Sequence, residues 1–212
     1  PDKNIRPFLG KPVIQYSIDA AIKSGLFSKV IVSTDSEDIA KIAIECGAEV
    51  PFIRPHDLSD DVTPVRDVVH HALKYFQQEN ISYEYACCIL ATAPFIRVED
   101  LKKGLHIIKE KKATSVFTVT TYAFPIFRAL KISKNNQLEM FWPEHKLTRS
   151  NDLPEAYHDA GQFYWLDTTK FLKTSEIFTS DAVPVILPRF MVQDIDTEED
   201  WEIAEKMYRA ND

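Results

Sequence analysis

Short, almost wholly apolar runs alternate with amphipathic helical runs along the first 120 or so residues, and this alternation constrains the fold more than any other feature of the chain. The run KPVIQYSIDAAIKSG (11–25) sets Ile14, Ile18, Ala21 and Ile22 on one helical face, with Pro12 near its start and Gly25 at its end. KVIVSTD (29–35) then reads as a short strand, apolar enough to be covered from both sides. SEDIAKIAIECGAEV (36–50) predicts a second helix, closed by Gly47. In TPVRDVVHHALKYFQQ (63–78), Val65, Val68, Val69, Ala72, Leu73 and Phe76 recur at helical spacing. YEYACCILATAPF (83–95) predicts a buried strand running into a turn, VEDLKKGLHIIKEKK (98–112) a helix and SVFTVTTY (115–122) a β-branched strand. Strands and helices in this order predict an α/β fold on a mainly parallel sheet with helices on both faces.

The rhythm breaks from about Ala123 to Trp165, where short strand-like pieces (RALKI, LEMFW, AGQFYW) lie among polar turns. Such a stretch reads as a small antiparallel excursion from the sheet, a lid or a dimerisation arm. AVPVILP (182–188) and FMVQDID (190–196) return to strand character, and TEEDWEIAEKMYRA (197–210) closes with a helix. The 212 residues suit a single domain, 1–212. A formal charge of -7 argues against nucleic acid or an anionic membrane as partner, and no apolar run nears the ~20 residues that span a bilayer. Cys46, Cys87 and Cys88 lack CxxC spacing and read as buried thiols of a cytoplasmic protein.

In an α/β sheet of this kind ligands sit at the carboxyl ends of strands, which directs attention to Ser33-Thr34-Asp35, to Ala91-Thr92-Ala93-Pro94 and to Asp194-Ile195-Asp196. In a strand, residues i and i+2 share a face, so Asp194 and Asp196 would present paired carboxylates, a hard-oxygen set suited to Mg²⁺. The competing account is helix capping by Asp196 or Thr197, with Glu199 or Asp200 completing a capping box. Capping also explains the Ser33–Asp35 turn. The loop FIRPHDLSDDVTP (52–64) carries Arg54, whose planar fork suits oxyanions, together with Thr63. Asp60 and Asp61 are adjacent, point apart in an extended segment and do not read as a metal pair. His70 and His71 diverge by about 100° on their helix and read as solvated. The stretch TRSNDLPEAYHDAGQFYW (148–165) reads as the wall of a polar, ring-shaped ligand site. No nucleophile motif occurs, and with five glycines there is no GxGxxG or GxxxxGK[ST] phosphate cradle.

The stretch KNIRPFLGKPVIQYSIDAAIKSGLFSKVIVSTDSEDIAKIA (3–43), with RPHDLSDD (54–61), ATAPF (91–95) and QDIDT (193–197), closely resembles the CMP–sialic acid synthetase family of cytidylyltransferases, over essentially the whole chain. The resemblance implies a Rossmann-like nucleotidyltransferase sheet, a homodimer built through the excursion, and transfer of CMP from CTP to a nine-carbon 2-keto sugar acid. It implies that Asp194 and Asp196 bind Mg²⁺ and take part in catalysis with Lys3. Lys3, Asn4, Arg54 and Thr63 are expected at the nucleotide, and Leu90, Thr92, Arg149, Tyr157, Asp159 and Gln162 at the sugar. Arg149, one residue out of register, stands for the sugar-carboxylate partner. Members of the family begin with a strand and a triphosphate-wrapping loop, which is expected upstream of Pro1. The chain departs from the sialic acid enzymes at Leu90, where they carry a sugar-contacting glutamine, at Ala160-Gly161, where they carry Asn-Gly, and at Gln162-Phe163-Tyr164. With MFWPE, EAYHDAGQFYW and VQDIDT it resembles the pseudaminic acid branch, whose members activate a 5,7-diamino sugar. The alternatives are a sialic or legionaminic acid synthetase, or an inactive nucleotide-sugar-binding homologue.

Overall fold

Helix α1 (Val13–Ser24) follows two short paired strands, β1 (Pro7–Phe8) and β2 (Lys11–Pro12), and ends at Gly25, whose φ of 66° is the left-handed turn that glycine makes without strain. Helix α2 (Glu37–Glu45) starts at Ser36, whose side chain accepts from the Ile39 amide. Then come α3 (Val65–Gln78), β3 (Tyr85–Ile89), α4 (Val98–Lys111) and β4 (Ser115–Thr121). A hairpin of β5 (Leu130–Ile132) and β6 (Leu138–Met140) precedes the long strand β7 (Tyr157–Asp167), α5 (Thr168–Thr174), β8 (Val183–Ile186) and α6 (Glu198–Asn211). The computed structural model describes residues 3–60 and 62–211, so the reading of Asp61 falls outside the described residues.

The central sheet runs β3-β7-β4-β8. Strand β7 is antiparallel to β3 and β4, while β4 and β8 are parallel. The sheet is therefore mixed, with β3, β4 and β8 running one way and β7 inserted against them. Side-chain alternation along β7 divides the core into two layers. Phe163 and Trp165 join Ala20 of α1 and Leu101 and Ile108 of α4. Tyr164 and Leu166 pack on the other face with Leu73 of α3 and Phe171 of α5. Helices thus cover both faces, as the apolar strands require.

Three local expectations are revised. Residues 29–35 form two isolated parallel bridges, Ile31 to Glu49 and Thr34 to Ile53, instead of a continuous strand. Pro51 lies between the bridged partners and has no amide to donate, which breaks the ladder. The run FMVQDID is not a strand: a 3-10 turn, Arg189–Met191, follows Pro188, and residues 192–196 continue as irregular chain. The run AGQFYW, assigned to the excursion, lies within β7 at the centre of the sheet, so the excursion proper ends before Tyr157.

Candidate active site

The segment 192–197 is held by one apolar anchor. Ile195 is 1% exposed and sits among Phe8, Val13, Phe95 and Trp201, while its neighbours Asp194 and Asp196 are exposed. Alternation about Ile195 turns both aspartates outward without any strand ladder. Capping of α6 is done by Thr197 and Asp200, as one form of the capping account expects, and not by Asp196. Asp200 Oδ2 accepts from the Thr197 amide (2.8 Å), from its hydroxyl (2.7 Å) and from the Asp196 amide (3.3 Å), and Thr197 Oγ1 accepts in return from the Asp200 amide (3.2 Å). The Thr197 hydroxyl is the main cause that holds the Asp200 carboxyl below its usual range. Neither the Asp194 nor the Asp196 carboxylate is consumed by the cap, so both remain for another task.

Lys3 comes to this pair from the other end of the chain. Its Nζ donates to the Ile195 carbonyl (2.6 Å) and to Asp196 Oδ1 (3.1 Å). A 3-10 turn, Lys3–Ile5, carries it and brings Asn4 alongside. Two exposed carboxylates, one already drawing an ammonium group, are hard oxygen donors of the kind that could hold a cation. Among the described residues no cluster of three or more His, Cys, Asp or Glu suited to a metal occurs, so the chain supplies two carboxylates at this place.

A second group of expected residues stands at an irregularity in β7. The β4–β7 register passes from Phe117–Tyr164 to Val119–Asp159, which leaves residues 160–163 facing Thr118 alone. Gly161 takes φ +60° to make the step, and the buried Thr118 hydroxyl accepts from the Gln162 and Phe163 amides at 3.4 and 3.5 Å. The irregularity places Gln162 beside Leu90, whose amide donates to the Gln162 carbonyl (2.9 Å). The Leu90 carbonyl in turn accepts from the buried Ser17 hydroxyl of α1 (2.7 Å).

Gln162 and Asp159 are already engaged. The Gln162 side chain is 3% exposed and its Nε2 donates to the Met191 carbonyl (2.7 Å), tying β7 to the segment that carries the aspartates. Its Oε1 is buried without a partner. Asp159 accepts from the Gly161 amide (2.9 Å) and from the Tyr164 hydroxyl (2.6 Å). Burial first, then Asp159 and the charge of Asp194, push the Tyr164 phenol far above its ordinary value, so it stays a donor.

Other expected site residues stand apart from this constellation. Arg54 donates to Ser59 Oγ (3.0 Å), the Ser33 carbonyl (3.3 Å) and Asp35 (3.5 Å), pinning the turn of residues 33–35. In that turn Thr34 Oγ1 accepts from the Ser36 amide, while the cap of α2 is made by Ser36 itself and not by Ser33, Thr34 or Asp35. Thr63 donates its amide and hydroxyl to Asp60 Oδ1 (2.7 and 2.6 Å). Thr92 is half-buried in the turn after β3. Tyr157 is exposed and bonds to Glu155. Arg149 is 80% exposed, with Asp152 at 3.9 Å. His71 is not solvated as expected: it is half-buried, packed edge-on to Phe52 at 4.8 Å. Sequence reasoning missed Arg6 and Glu198, which join the two halves of the Lys3–Asp196 site. They lie 192 positions apart, and no local pattern links them.

Residues 1–211 match the model of the cytidylyltransferase family. A pseudaminic acid cytidylyltransferase of Campylobacter jejuni subsp. jejuni serotype O:2 is 41% identical over 211 residues, spanning 100% of this chain and 91% of that protein. A CMP-N,N'-diacetyllegionaminic acid synthase of Legionella pneumophila subsp. pneumophila is 29% identical, again over 100% of this chain and 91% of that protein. Among solved structures, a CMP:2-keto-3-deoxy-manno-octonic acid synthetase complexed with CTP superposes with a TM-score of 0.69 at 14% identity, covering 100% of this chain and 93% of that one.

Proposed function

The chain belongs to the cytidylyltransferase family, and from that premise we propose that it transfers CMP from CTP to the anomeric hydroxyl of pseudaminic acid. The hydroxyl oxygen forms a bond to the α-phosphorus, the bond from that phosphorus to the bridging oxygen breaks, and pyrophosphate leaves as the sugar loses its hydroxyl proton. What carries the proposal is the 41% identity to a pseudaminic acid cytidylyltransferase along the whole chain, joined to a carboxylate pair that its own helix cap leaves free.

Asp194 and Asp196 are the residues that would hold Mg²⁺, and their hard oxygens fit that ion. When bound, it supplies neutralisation of phosphate charge. Lys3 adds a positive charge beside the pair, suited to a phosphate oxygen. Asn4, Arg54 and Thr63 are proposed for the nucleotide, the last two from turns already fixed by Asp35, Ser59 and Asp60. On the sugar side Leu90 offers an apolar surface where a glutamine would offer a polar one, which favours a less hydroxylated ring substituent. Asp159 and Gln162 shape that wall, and Thr92 lies at its edge. Arg149 and Tyr157 are assigned to the sugar through a homodimer, because both stand on or next to the excursion. Its hairpin exposes Leu130, Ile132 and Leu138, more apolar surface than a lone two-stranded ribbon keeps in water. Among the described residues no helix is long and apolar enough to cross a membrane. A cytoplasmic setting is proposed from the three unpaired cysteines.

Pyrophosphate release measured with CTP, Mg²⁺ and either pseudaminic, legionaminic or N-acetylneuraminic acid tests the assignment. Pseudaminic acid is expected to lead in kcat/KM by about tenfold or more, the order of discrimination that a change in an apolar contact supplies. Equal rates, or a lead by legionaminic acid, would overturn the sugar assignment.

A further inference from the structure

Arg6 joins the two ends of the chain at the place where Lys3 meets the aspartates. Its Nη1 and Nη2 donate to Glu198 Oε1 (2.6 Å) and Oε2 (2.8 Å), a two-pronged pair. Its guanidinium lies 4.2 Å from the centre of the Trp201 ring. Trp201 is 4% exposed and belongs to the same buried group as Phe8 and Ile195. Glu198 opens α6 two residues after Asp196, and Arg6 follows Lys3 by three. The fork and the ring together fix the orientation of Arg6 relative to α6, which a point charge would not do.

We propose that Arg6 is a positioning residue: through Glu198 and Trp201 it holds the Lys3 turn against the Asp194–Asp196 segment and so sets the alignment of the ammonium group with the two carboxylates. The proposal rests on the assignment of that segment to the reaction. Both partners of the ion pair are largely exposed, Arg6 at 41% and Glu198 at 78%, and exposed pairs add little to global stability. Its consequence is therefore local. The Lys3 side chain reaches Asp196 only if the two segments keep their separation, and among the described residues no disulfide ties them across 193 positions. One further bond depends on the same register, from Lys3 Nζ to the Ile195 carbonyl (2.6 Å).

The test compares the parent with Arg6→Gln, Glu198→Gln, Arg6→Lys and the exchanged pair Arg6→Glu with Glu198→Arg, all in the full chain. Three quantities are read besides the melting temperature: hydrogen exchange of amides 194–197, binding of Mn²⁺ with CTP by electron paramagnetic resonance, and kcat against KM. Arg6→Gln and Glu198→Gln should melt within about 3 °C of the parent. They should exchange faster at 194–197 and bind Mn²⁺ more weakly by about fivefold. They should also lose about tenfold or more in kcat with a smaller change in KM for CTP, since small misplacements cost rate steeply. Arg6→Lys should fall between, and the exchanged pair should recover part of the loss. Parental exchange and Mn²⁺ affinity in Arg6→Gln would overturn the proposal, as would a kcat loss matched by an equal loss in Arg6→Lys and no recovery in the exchanged pair. If Arg6→Gln does not fold, Glu198→Gln and Arg6→Lys decide the matter by the same readouts. A parent that releases no pyrophosphate would count against the cytidylyl-transfer assignment, while exchange and Mn²⁺ binding would still judge Arg6.

Discussion

Replacing Gly104 by alanine should destabilise the protein although alanine is the better helix former. Gly104 lies inside α4 against the sheet, and an added Cβ would stand 2.6 Å from Trp165 Cδ1, 2.9 Å from its Nε1 and 3.0 Å from Phe163 Cε2. The indole has no room to retreat. It stacks on Phe27 at 5.2 Å with planes 13° apart, its Nε1 donates to the Leu101 carbonyl (3.1 Å), and its backbone is paired on both sides, with Cys87 and Val116. Helix propensity favours alanine by about 1 kcal/mol. Against this stand overpacking, about 1–3 kcal/mol and here toward the upper end, and a weakened indole hydrogen bond, about 1 kcal/mol. The net loss comes to about 2–3 kcal/mol, which in a chain of this size lowers Tm by roughly 4–12 °C. Equilibrium urea unfolding followed by circular dichroism and tryptophan fluorescence measures it, with exposed Lys103→Ala as a control expected near zero. A Gly104→Ala midpoint at or above the parent's would refute the claim that α4 is seated by direct contact on the Trp165 ring.

Asp196→Asn should leave α6 and the melting temperature intact, because Thr197 and Asp200 make the cap, yet reduce turnover by about 100-fold or more; near-parental turnover at ordinary Mg²⁺ would remove the aspartate from the site. Asp181 accepts from the Thr179 hydroxyl and from the Thr114 hydroxyl and amide, bonds that with the Thr179 one foremost hold its carboxyl below the usual range. Its folded pKa being depressed, the stability it adds is present above the unfolded value, about 3.9, and is lost as pH falls through the folded one. The unfolding midpoints of parent and Asp181→Asn should therefore differ more at pH 7 than at pH 3; a constant gap would sink the linkage. Ile132→Glu combined with Leu138→Glu, a cross-strand pair on the hairpin, should convert a dimer to a monomer in sedimentation velocity, and an unchanged mass would place any dimer contact elsewhere.

Several elements were legible in the residue pattern because each is set by local periodicity. The helices α1 and α4 and the Gly25 stop followed from the sequence pattern, and of the face read for α1, Ile14, Ile18 and Ala21 are buried while Ile22 is exposed. The carboxylate pair at Asp194 and Asp196 was visible as a composition that packing does not need. The strand expected there is absent, but both aspartates flank the buried Ile195 and are exposed. What failed depended on the partner of each backbone segment. Residues 29–35 look like a strand, but Pro51 in the facing segment breaks the ladder to two bridges. AGQFYW reads as a strand-like piece of the excursion because polar turns precede it; it is indeed strand, but it lies in β7 inside the sheet, where the register against β4 shifts.

The sequence by itself determined the α/β class, the helix faces, the family, and the chemistry available at positions 194 and 196, since these depend on residue type and short-range spacing. Only the tertiary structure decided that β7 is inserted antiparallel between β3 and β4, that Thr197 and Asp200 release the aspartates from capping, and that Lys3 and Arg6 close on the far end of the chain. Those outcomes are set by contacts between residues distant in sequence, for which no local period or propensity carries a signal.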